Sequence, residues 1–109
     1  MHALVESRRQ AIGELCRHYG VTRLDLFGSA ADGEFDPQSS DLDLIVRFAD
    51  VESPGIARRF FGLAEDLERL LGRPVDLLTD QPFQNPYFAQ AVAETRETIY
   101  EQSVEKAAV

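Results

Sequence analysis

The sequence is poor in three things, and each shortage removes a class of protein. It holds a single cysteine, Cys16, so no disulfide can close within the chain, and a reducing compartment suits it. No apolar run is long enough to cross a bilayer as a helix. The first ten residues, MHALVESRRQ, lack the apolar block of a secretory signal. A cytoplasmic protein with no membrane partner is therefore expected. Positive charge is also scarce, with 11 basic residues against 19 acidic ones and a net charge of −8. A long DNA or RNA partner needs a basic footprint, so a long nucleic acid is excluded. A nucleotide is not, because divalent metal can neutralise both sides. Acidity also suits docking on a basic protein.

Internal repeats and low-complexity tracts are absent as well. Proline and glycine fall between periodic segments and do not gather in one linker. At 109 residues, one domain spanning residues 1–109, with one sizeable core, is expected.

What is present is a succession of periodic segments. Residues 3–19 read as a helix, with Ile12, Leu15, Cys16 and Tyr19 on one face and Gly20 at its end. Residues 23–27 read as a short strand, in which Leu24 and Leu26 alternate with Asp25 and Phe27. Residues 30–40 are rich in Asp, Gly, Pro and Ser and read as loop. Residues 42–48 give the clearest strand. Leu42, Leu44, Val46 and Phe48 face one side, and Asp41, Asp43, Ile45 and Arg47 the other. A helix begins at Ser53-Pro54-Gly55 and runs to Leu71 on the stripe Ile56, Phe60, Leu63, Leu67 and Leu70. A third strand covers residues 74–79, with Val75 and Leu77 opposite Asp76 and Leu78. A loop over 80–86 leads to a helix over 87–97 that aligns Phe88, Ala91, Val92 and Thr95. Residues 98–101 fit either a last strand or the helix tail, and residues 103–109 are expected to fray. Strands separated by helices indicate an α/β (α+β) fold, a small mixed β-sheet flanked by helices. The first two strands lack a crossover helix between them, so they are expected to be antiparallel.

Chemistry concentrates in residues 24–46, LDLFGSAADGEFDPQSSDLDLIV. Gly28-Ser29 ends one apolar run, and Asp41 and Asp43 open the next. Residues i and i+2 of a strand point the same way, so the two carboxylates project side by side. They repel unless a cation sits between them, and a hard divalent ion such as Mg²⁺ takes oxygen ligands and shares phosphate oxygens. Asp76, in a strand whose apolar neighbours suggest a central position, is the candidate for a third carboxylate. Glycine lets backbone approach phosphate, the amides of a following helical turn bind anions, and the Ser29 hydroxyl can donate to a phosphate oxygen. The bland readings are a plain turn for Gly28-Ser29, a solvated strand end for the aspartate pair, and an ion pair of Asp76 with Arg47 or Arg73.

LFGS, SDLDLIV and, one helix later, PVDLL resemble the minimal nucleotidyltransferases of the DNA polymerase β superfamily. The resemblance covers roughly residues 24–78 and is similar in style over 87–100. It implies a nucleotidyltransferase fold, with Gly28 and Ser29 on the triphosphate. Asp41 and Asp43 would hold two Mg²⁺ ions, and Asp76 would hold the catalytic one and help deprotonate the acceptor. The implied reaction moves AMP from ATP, with release of pyrophosphate. The subgroup it most resembles is the small antitoxins encoded beside a HEPN-type toxin ribonuclease, which implies that toxin as partner and a tyrosine as acceptor. An apolar face on the last helix could pair two copies, so a homo- or hetero-oligomer is an open expectation. One departure stands out. Asp32 precedes Gly33 where the family often has arginine. That motivates a second reading, an inactive antitoxin that works by covering the toxin. A third is a transferase acting on a small molecule such as an aminoglycoside, against which the lack of a second domain counts.

Other residues read more plainly. Cys16 is expected in the core and His18 on the surface. Phe60 is expected in the core, Phe61 facing a partner, and Tyr87 and Phe88 in packing. Arg58 and Arg59 are expected on a solvated helix face.

Overall fold

A guanidinium ties the first long helix to the sheet. Arg59 donates from Nε to the Tyr19 carbonyl at 2.9 Å and from its terminal nitrogens to the carbonyls of Gly20, Ala49 and Asp50 at 3.1, 2.8 and 3.3 Å. Its guanidinium carbon also lies 5.0 Å from the centre of the Phe48 ring. The solvated face expected for Arg59 is thus corrected: carbonyls orphaned at a helix end draw in a fork of donors. Glycine suits position 20, where φ is +73° and a Cβ would stand 2.6 Å from the Arg59 guanidinium. Arg58 is exposed, as expected.

The structure, a computed structural model, describes residues 3–28, 42–50, 52, 54–80 and 84–102. The elements are α1 (Ala3–Ser7), α2 (Arg9–Tyr19), β1 (Val21–Phe27), β2 (Leu42–Phe48), α3 (Ile56–Leu71), β3 (Val75–Thr79), α4 (Pro86–Thr95) and β4 (Glu97–Glu101). The loop expected over 30–40, Ser53 at the start of the second long helix and the fraying expected over 103–109 lie outside the described residues.

The single helix expected over 3–19 is two. Arg8, at φ −110° and ψ 12°, breaks it, and its N–H bonds the Val5 carbonyl three residues back. The turn keeps Val5 buried in the same core as Ile12 and Cys16. Residues 97–101 form a strand, which decides between the two readings of that segment.

The four strands stand in the order β3-β2-β1-β4. β1 pairs antiparallel with β2 and β4, and β2 pairs parallel with β3, so the sheet is mixed as expected. β3 lies at the sheet edge, which corrects the central position expected for Asp76. The apolar residues of VDLLT are explained by packing above and below the strand. Leu77 joins one core cluster, and Leu78 packs against the other.

Those clusters lie on opposite faces. On one, α2 and α3 bring Ile12, Cys16, Leu63 and Leu67 down on Leu24, Leu26, Leu42, Leu44 and Val46. Full burial of each such leucine or isoleucine contributes about 1.5–3 kcal/mol. Burial pushes the Cys16 thiol up to about 12, against a smaller lowering by Arg17, so the residue is core, as expected. On the other face α4 lays Val92 over Phe27 and Ile45. Asp43 belongs to this second, more thinly covered face, because it alternates with the residues of the first.

The remaining aromatics divide. Phe60 is half-buried against the first cluster and Phe61 is 68% exposed. Phe88 packs edge-on against Phe27, with ring centres 6.1 Å apart. Tyr87 is 84% exposed, which corrects its expected packing role. It lies in the first turn of α4, and it is Val92 that the helix buries. His18 is exposed, as expected.

Candidate active site

Three strand ends converge where β2 begins. Asp43 sits in the first turn of the β2 alternation, on the face shared with Ile45 and Arg47. In the parallel pairing its register partner is Asp76 of β3. Neighbouring strands lie about 4.8 Å apart, and register partners project to the same face. The fold thereby brings together two carboxylates that are far apart in sequence. Asp43 is half-buried and Asp76 exposed. Arg47, one of the two arginines considered for Asp76, instead binds Asp80 at 2.7 Å.

On the other side of Asp43 lies the end of β1. Phe27 is its antiparallel register partner, and Gly28 follows at φ +76°. A Cβ at Gly28 would stand 2.6 Å from Asp43 Oδ2. The glycine is therefore favoured twice, for its left-handed backbone and for its closeness to the carboxylate. Its N–H donates to Thr95 Oγ1 at 3.0 Å. Of the five residues expected in the site, the structure brings Gly28, Asp43 and Asp76 together. Ser29 and Asp41 lie outside the described residues, and among the described residues no group of three His, Cys, Asp or Glu side chains could hold a metal. The oxygen donors of Asp43 and Asp76, side by side, suit a hard divalent cation.

Behind the site, beyond the apolar layer of Phe27, Ile45 and Val92, the same face carries an ion network that sequence reading missed. Asp25 is fully buried. It accepts from Arg23 Nε at 3.0 and 3.1 Å and from Arg96 Nε. Arg96 also reaches Asp80 at 2.8 Å, where Arg47 arrives from β2. Burial raises the Asp80 carboxyl, but the hydrogen bonds and charges of Arg96 and Arg47 outweigh it and hold it below its ordinary range. The one available signal was an aspartate inside the apolar run LDLF, since a buried carboxylate needs partners.

Residues 8–99 match the model of the nucleotidyltransferase domain. The chain belongs to that family. This nucleotidyltransferase is 35% identical over 89 residues to the protein adenylyltransferase MntA of Thermococcus cleftensis, covering 80% of this chain and 81% of the relative. It is 38% identical over 76 residues to a candidate protein adenylyltransferase of Methanocaldococcus jannaschii, covering 70% of this chain and 74% of the relative. Its fold is similar to the solved structure of a candidate minimal nucleotidyltransferase, with a TM-score of 0.69 and 32% identity over 89% of this chain and 95% of that one. It also resembles a chain in the structure of a tri-AMPylated Shewanella oneidensis HEPN toxin in complex with an MNT antitoxin. There the TM-score is 0.60 over 95% of this chain and 78% of that one, and at 20% identity the likeness is one of fold. The mixed four-stranded sheet is thus that of the minimal nucleotidyltransferases, as the motif implied.

Proposed function

We propose that this nucleotidyltransferase moves AMP from ATP to a hydroxyl of a protein partner, a tyrosine of a cognate HEPN-type toxin, and so acts as the antitoxin. The observation that carries the reading is the register of Asp43 with Asp76, with Gly28 seated against Asp43. It is supported by the relatives named as protein adenylyltransferases and by the likeness of fold to a chain in the complex of an AMPylated toxin with an antitoxin.

On this reading Gly28 and Ser29 receive the triphosphate. Asp41, Asp43 and Asp76 would hold two Mg²⁺ ions, which when bound neutralise phosphate charge and favour the ionised acceptor. The acceptor oxygen attacks the α-phosphorus, and the bond from that phosphorus to the β-bridging oxygen breaks. Pyrophosphate leaves with the electron pair, and Asp76 takes the hydroxyl proton. The described residues also form a groove of about 430 Å³ lined by Ala11, Glu14, Leu15, Asp66, Arg69 and Leu70. It belongs to the α2–α3 side of the sheet, opposite the Asp43 face.

The test mixes the chain with the protein encoded beside it, Mg²⁺ and ATP labelled at the α-phosphate. Label on the neighbour, lost when Asp41→Asn and Asp43→Asn are combined, is expected. A tight complex without label would instead establish the binding-only antitoxin that Asp32 suggests. Turnover only with an added alcohol or aminoglycoside would establish the small-molecule transferase.

A further inference from the structure

The last turn of α4 presents a threonine whose hydroxyl is committed in two directions. Thr95 Oγ1 donates to the Ala91 carbonyl at 2.9 Å and accepts from the Gly28 N–H at 3.0 Å. A hydroxyl has one proton and two lone pairs. The bond to Ala91 uses the proton, so the oxygen faces Gly28 as an acceptor only. Gly28 in turn is the residue whose backbone lies against Asp43.

The end of α4 is itself anchored. The Arg96 N–H closes the helix on the Val92 carbonyl at 2.8 Å. Its side chain binds buried Asp25 and, at 2.8 Å, Asp80. Thr95 is thus held between a helix it terminates and an arginine fixed to the sheet. The chain of contacts runs from Asp25 through Arg96 and Thr95 to Gly28 and Asp43.

We propose that Thr95 is a positioning residue for nucleotide transfer. Its hydroxyl holds the Gly28 amide so that the glycine stays seated against Asp43 in the geometry that receives the triphosphate. The inference rests on the functional reading above and adds to it a residue from a different element. Without the hydroxyl the Gly28 N–H loses its acceptor, and the turn must be ordered by the nucleotide at the expense of affinity.

Thr95→Val keeps the shape and removes the hydroxyl, and Thr95→Ser keeps the hydroxyl and removes the methyl. Two readouts are taken on the full chain: amide hydrogen exchange at Gly28, and calorimetric affinity for a non-hydrolysable ATP analogue with Mg²⁺. Thr95→Val is expected to speed Gly28 exchange and weaken the analogue about tenfold, the equivalent of about 1.4 kcal/mol and within the range for an unsatisfied amide. Thr95→Ser is expected to restore both. Should Thr95→Val not fold, Thr95→Ala is read in the same way. Faster exchange with unchanged affinity would reduce Thr95 to a staple of α4 and overturn the proposal, and so would a failure of Thr95→Ser to rescue. A wild-type chain that does not bind the analogue would overturn the functional reading and this inference with it. Wild-type binding matched by Thr95→Val would overturn this inference alone.

Discussion

Asp43 and Asp76 are register partners across the parallel pair of β2 and β3, so one carboxylate cannot move along its strand without the other losing its neighbour. Asp76 is exposed and at the sheet edge, where its charge contributes little to the fold. Asp76→Asn is therefore expected to lower AMP transfer by at least about a hundredfold, the scale of a lost general base. Its unfolding free energy should stay within about 0.5 kcal/mol of wild type. Turnover with α-labelled ATP and a urea titration check the pair, and full turnover would remove Asp76 from the site.

Gly28 provides a second check, because its backbone and its closeness to Asp43 make separate demands. Gly28→Ala places a Cβ at φ +76° and 2.6 Å from the Asp43 carboxylate, and the left-handed backbone alone costs about 1–2 kcal/mol. Asparagine tolerates that backbone better but brings the same Cβ. Transfer activity is expected to be lost in both variants, with Gly28→Asn the more stable in denaturant. Retained activity in Gly28→Asn would show that Asp43 does not need the space.

The Asp25–Arg96–Asp80 network predicts a pH dependence of stability. Asp80 is held below its ordinary value in the folded protein, so it binds fewer protons there than in the unfolded chain. Its contribution is complete above the unfolded value and is lost as pH falls through the lower folded one. Unfolding free energy should hold steady near neutrality and decline below about pH 4. Asp80→Asn should flatten part of that decline. Arg96→Met leaves Asp25 buried with Arg23 as its remaining partner, and should destabilise by about 1.5–3 kcal/mol, the scale of a lost hydrogen bond to a charged group. Denaturant titrations across pH measure both, and an acid limb unchanged in Asp80→Asn would contradict the assignment.

Much of the frame was legible because it is written locally. The alternation of β2 assigned Leu42, Leu44, Val46 and Phe48 to one core and Asp43 to the opposite face, as the two buried clusters bear out. The stripe of α3 and the glycine after α2 were legible for the same reason. Dihedral preference and apolar period act within a few residues. The break at Arg8 and the exposure of Tyr87 escaped that reading, and so did the carbonyls gathered by Arg59, which distant segments bring alongside it.

The sequence alone determined which residues could form strands and helices and which face of β2 would carry a carboxylate, and it offered a glycine-serine pair and three aspartates as candidates for nucleotide chemistry. Only the tertiary structure decided that β3 is an edge strand in register with β2, that Asp25 is buried between two arginines, and that Thr95 holds Gly28. Pairing register and side-chain contacts between remote segments are set by how the elements close around a shared core, and no periodicity within one segment encodes them.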